Sequence, residues 1–137
     1  MQYDAQRPLA PEGRAAATRL GEILVSIGQA PTGCTCSPLV RARETASLVL
    51  EAAGVTTDPE LSTTLAPGCA VEDVMQVPAV TEGPQLVVIH EPDVSRVLSA
   101  ILGRPWPCAV LPGDCFGIRL ENGVGRAAFH FSLERGR

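Results

Sequence analysis

The sequence predicts a single α/β domain with mostly parallel strands and an antiparallel tail, and three observations carry that reading. Two stretches share one design, a short apolar strand, then a polar side chain, then a proline that opens a helix: Cys36-Ser37-Pro38 and His90-Glu91-Pro92. Leu86 to Ile89 is a continuous, largely β-branched run of the kind found in a central parallel strand buried on both faces. Near the C-terminus, Glu121-Asn122-Gly123-Val124 carries the Asn-Gly signal of a two-residue hairpin turn.

Composition bounds the rest. A chain of 137 residues is one domain by size and can bury one good core. Hydrophobic residues make up 45%, yet only five are aromatic, so Val, Leu, Ile and Ala must build that core. Thirteen Gly and twelve Pro punctuate the chain into many short elements rather than a helical bundle. A net charge of −4 and a pI near 5.1 argue against nucleic acid or an anionic membrane as the main partner. An anionic substrate would therefore need a local basic pocket, and every basic side chain is Arg. The five Cys are odd in number and form no CxxC pair, and no His is spaced as a zinc partner. They read as structural thiols, with no metal or cofactor expected. The N-terminus has no apolar leader core, and no stretch is long and apolar enough to span a bilayer. The expected setting is soluble, reducing and cytoplasmic.

In chain order, residues 1 to 10 are polar and patternless. Pro11-Glu12-Gly13 opens a helix running to about Ile27, with Ala16, Leu20, Ile23, Leu24 and Ile27 on one face and Gly28 as the stop. Its N-cap, Ala10, is a poor one. Residues 32 to 36 form a short buried strand on which Cys34 and Cys36 point to the same face. Ser37 is a good N-cap and Pro38 suits the first helical position, so a helix is expected from there to Ala53, with Gly54 ending it. A strand is expected near Val55 to Thr57, then turns at Asp58-Pro59 and Ala66-Pro67-Gly68, then a short helix within 71–80 limited by Pro78. After the strand at 86–89, Pro92 and Asp93 begin a helix whose Val94, Val97, Leu98, Ile101 and Leu102 follow helical spacing up to Gly103. The tail reads as strands at Cys108 to Leu111, Phe116 to Leu120 and Ala127 to Phe131. Alternation places Phe129 and Phe131 on one face and His130 on the other, which makes His130 a surface strand residue.

The chemistry lies at the two strand–helix junctions. Arg41 falls in the first turn of its helix, where unsatisfied N–H groups and the positive end of the macrodipole favour an anion and a guanidinium adds bidentate geometry. On that segment alone, an ordinary solvated arginine is an equal reading. In an open α/β sheet functional groups collect at the carboxyl ends of strands, so Arg41 and His90 can face one pocket.

Three segments resemble the histidine phosphatase superfamily, and specifically its SixA-like phosphohistidine phosphatases: Arg7 to Gly13, Ser37 to Ala46 with its Ser-Pro-x-x-Arg-Ala-x-x-Thr pattern, and Ile89 to Ser95 with His-Glu-Pro. The resemblance implies a three-layer α/β/α fold and metal-free phosphoryl transfer through a phosphohistidine intermediate. It implies that Arg41 binds phosphoryl oxygens and that His90 flanks the phosphate and stabilises the transition state, with Ser37 beside them. Glu91 is a possible proton donor, or a helix-capping carboxylate. The short link from residue 54 to 85 favours an open pocket and a phosphorylated protein substrate. The family begins with a central strand ending in Arg-His, whose histidine is the nucleophile, and that motif is absent from these residues. The expectation is a single domain over 1–137, N-terminally incomplete, with weak or no turnover. Truncation is the favoured explanation, beside rearrangement, a strand from a second copy, or a poorly stable remnant. The alternative function is an inactive module binding phosphate or phosphoproteins. The oligomeric state is not legible.

Overall fold

The computed structural model describes residues 6–77, 83–107, 109–111, 113–121 and 124–132. Its elements, in chain order, are α1 (Pro11–Ser26), β1 (Gly33–Cys36), α2 (Val40–Ala52), β2 (Glu60–Leu61), a 3-10 turn (Thr63–Leu65), α3 (Val71–Met75), β3 (Gln85–Val88), α4 (Asp93–Leu102), β4 (Cys115–Glu121) and β5 (Val124–Phe131). It is a mixed α/β fold. Strands β1 to β3 form a parallel sheet in the order β2-β1-β3, and β4 and β5 form an antiparallel pair. No described helix is long and apolar enough to cross a membrane.

The core follows from the expected faces. Strand β1 is buried at all four positions, and its register sets Cys34 against Leu86 and Cys36 against Val88. Those four side chains share one face of the sheet, where Ala46 and Leu50 of α2 cover them. Helix α1 lies beside α2 and adds Ala17, Leu20 and Leu24 around Val49. Leu86 of β3, Cys115 of β4 and Phe129 of β5 all pack against this second cluster, so one pair of helices serves both sheets. The helices can lie close because Gly21, facing α2, has no side chain.

Four expectations are corrected. The strand placed at 55–57 is two residues of β2 at Glu60–Leu61 instead. Nothing in the sequence of that region distinguishes where a two-residue pairing falls. Helix α2 starts at Val40, not at Pro38, and its N-cap is Leu39, held extended at φ −64° and ψ 143°. Ser37 therefore caps no helix; its hydroxyl accepts the Leu39 N–H at 3.3 Å in a local turn. Strand β3 is not central: among the described residues β1 occupies the middle, and β3 is half-buried and strand-paired on one side. A β-branched run reports burial of faces and says nothing of lateral pairing. Residues 109–111 form no strand, and Cys108 lies outside the described residues. So do Asn122 and Gly123 of the hairpin turn and Pro78, expected to limit α3.

The thiols of Cys34, Cys36, Cys69 and Cys115 are free. Burial pushes the Cys34 thiol up to about 12, with Cys36 beside it adding to the rise, and burial pushes Cys115 up to about 11, with Asp114 adding to it. A raised folded value means that the unfolded chain ionises first. The contribution of these thiols to stability is whole below the ordinary value near 9, and is lost as pH climbs from there towards 12. Denaturant titrations repeated at neutral and alkaline pH should show stability falling over that range. Native protein at neutral pH should also resist alkylation at Cys34, and rapid labelling there by mass spectrometry would contradict the packing.

Candidate phosphate site

One backbone and one side-chain contact bring the junctions together. The Ser37 N–H donates to the Val88 carbonyl at 2.9 Å, extending the β1–β3 ladder one residue past the strand. Ser37 Oγ then lies 2.7 Å from His90 Nε2. The residues just past β1 and β3 thus touch. Ser37 is wholly buried, so its hydroxyl proton and lone pairs are served by the Leu39 N–H and the His90 ring. That pairing fixes the orientation of the ring.

Arg41 stands in the first turn of α2, half-buried, with its carbonyl accepting the Thr45 hydroxyl at 2.8 Å. Because Leu39 carries no side-chain cap, the helix's first N–H groups receive no capping side chain from it. A basic residue in the first turn of a helix, where the macrodipole is positive, favours an anion. Glu91 is turned the other way: its carboxylate accepts the Ser95 N–H at 2.7 Å and the Ser95 hydroxyl at 2.6 Å, a capping arrangement across the first turn of α4. The N-terminal segment is tied down by Glu44, which accepts the Leu9 N–H at 2.8 Å and pairs with Arg14 at 2.9 Å. A shallow groove of about 460 Å³ on α1 and α2 includes Arg14, Arg43, Glu44 and Glu51, but not Ser37, Arg41 or His90.

His130 belongs to a separate cluster on the hairpin. It stacks on Phe116 at 4.3 Å between ring centroids, meets Trp106 edge-on, and lies 3.6 Å from the carboxylate of Asp114. Its side chain is 31% exposed, in keeping with a surface strand residue that has aromatic neighbours. One participant escaped the sequence reading. Asp93 is buried to 1% exposure at the start of α4, although an acidic residue in a first turn reads as solvated.

Residues 1–65, from the N-terminal segment through β2, match the histidine phosphatase superfamily (branch 1), a span that holds Ser37 and Arg41. The structure of the protein histidine phosphatase SixA complexed with tungstate superimposes with a TM-score of 0.87 at 21% identity, covering 100% of this chain and 91% of that one. SixA from Agrobacterium tumefaciens matches with a TM-score of 0.76 at 18% identity, over 96% of this chain and 87% of that one. SixA from Nakamurella multipartitia gives 0.69 at 21%, over 96% and 88%. At these identities the structural matches establish the fold, which is histidine phosphatase-like. Comparison with curated proteins by sequence found no match.

Proposed function

We propose that this protein is a phosphohistidine phosphatase-like protein whose Arg41, His90 and Ser37 form the phosphate-facing set. The observation that carries the reading is the Ser37–His90 contact, which joins the two strand ends into one place. Arg41 supplies bidentate positive charge, His90 a hydrogen-bond donor, and Ser37 acts by holding the His90 ring. Phosphoryl transfer is governed mainly by such positioning and charge stabilisation, which residues of these types supply without a metal. Hydrolysis of phosphohistidine breaks the P–N bond, joins the oxygen of water to phosphorus and returns a proton to the departing imidazole. The substrate on this reading is a phosphorylated protein, and phosphate ion is the product ligand. Four free cysteines among the described residues favour a reducing, cytoplasmic setting.

The chain has two histidines, and a covalent phosphohistidine route needs one besides His90. His130 is occupied in its hairpin cluster. We therefore read these 137 residues as a single domain with weak or no turnover, and the same observation favours a second reading, a module that binds phosphoproteins without hydrolysing them. A phosphohistidine peptide assayed for phosphate release, beside its binding affinity, decides. Release supports the enzyme, binding without release supports the module, and the absence of both overturns the site.

A further inference from the structure

Asp93 is a carboxylate buried to 1% exposure that the proposed chemistry does not use, and its three partners belong to two different parts of the chain. Its Oδ2 accepts the Gly68 N–H at 2.9 Å and the Cys69 thiol at 3.5 Å, while Oδ1 takes the guanidinium of Arg96. Gly68 and Cys69 end the loop that leaves β2. That loop also reaches the site from the other side, because the Ser62 N–H donates to the carbonyl of Cys36, the residue before Ser37. Leu65, wholly buried, anchors its middle. Three residues before Asp93 stands His90, whose carbonyl accepts the Val94 N–H at 3.0 Å and so is built into the same first turn of α4.

We infer that Asp93 is a positioning residue: its carboxylate clamps the 66–69 loop to the first turn of α4, so that the segment that leaves β2 and the backbone carrying His90 are held as one unit. The inference rests on the site reading above. It also explains why a carboxylate is buried here, since all three partners are donors and an ionised oxygen pair can serve all of them. Arg96, half-exposed, closes the pair from the solvent side. A carboxamide of the same shape fails: whichever way it is turned, its NH2 group faces either Arg96 or the Gly68 N–H, leaving donors opposed in a buried place.

The test is Asp93→Asn in the full chain, read by tungstate affinity and by the His90 imidazole resonances in 15N NMR. Tungstate affinity should fall about tenfold, and the His90 resonances should move. Leu24→Ala, a core change on α1, should lower the melting temperature while leaving both readouts in place. Wild-type affinity with unmoved resonances in Asp93→Asn, or shifts no larger than those of Leu24→Ala, would overturn the inference. Should Asp93→Asn fail to fold, exchange of the Gly68 amide in the wild-type protein decides: protection like that of the α4 amides supports the clamp, and exchange at the rate of an open loop overturns it. A wild-type protein that binds no tungstate, or that binds it equally well as Arg41→Ala, fails the phosphate reading instead. The resonance and exchange arms then still judge Asp93.

Discussion

Gly21→Ala is expected to lower the melting temperature by on the order of 10 °C, a loss of about 3 kcal/mol for a domain of this size. The change looks mild, and helix propensity alone favours alanine by about 1 kcal/mol. Packing decides the other way. A Cβ at position 21 would meet the Val49 carbonyl oxygen at 2.5 Å, the Ala52 Cβ at 2.7 Å and the Ala53 amide at 3.2 Å, all on or next to the α2 backbone. No flexible side chain stands there to move aside, so relief requires α1 and α2 to separate. Separation would loosen the cluster of Ala17, Leu20, Leu24 and Val49 that supports both sheets. A thermal melt, or denaturant unfolding, measures the effect. An unchanged or higher midpoint would mean that the helices do not cross at this distance.

Arg41→Ala is expected to weaken binding of inorganic phosphate or tungstate about a hundredfold, since a charge-assisted contact to an anion contributes about 1.5–3 kcal/mol. His90→Ala should follow with about tenfold, and Ser37→Ala with less, because Ser37 acts through the ring it holds. The order carries the argument. Arg41 brings a permanent charge, His90 a donor whose charge varies with pH, and Ser37 a hydroxyl that is itself wholly buried. Calorimetric titration of the three variants against the parent chain gives the ranking. Equal losses for all three would point to general misfolding, and no loss in Arg41→Ala would remove that residue from the site.

Much of this was legible in the sequence where the signal is local. Helices α1 and α4 announce themselves by apolar spacing, and all three longer helices by Gly28, Gly54 and Gly103, each of which adopts a positive φ just past its helix. The pairing of the two junctions was legible because both repeat one strand–proline–helix design. What was lost depends on partners distant in sequence. Ser37 looked like a cap because serine before proline usually is one, yet its hydroxyl turns to a histidine 53 residues away. Whether β3 is inner or outer depends on which strands lie beside it, and its own residues do not encode that. The position of β2 rests on two residues pairing with Thr35 and Cys36, too short a contact for a composition signal. Asp93 hid for a similar reason: burial comes from a loop folding over it, and Gly68-Cys69 read only as the end of a turn.

The central claim is that the ends of β1 and β3 make one anion site, and the most direct measurement is the position of a heavy oxyanion in a crystal. Tungstate, located by its anomalous scattering, should lie at the N-terminus of α2 with oxygens within hydrogen-bonding distance of the Arg41 guanidinium and of the His90 ring. Tungstate held instead in the groove of Arg14 and Arg43, with Arg41 and His90 untouched, would contradict it.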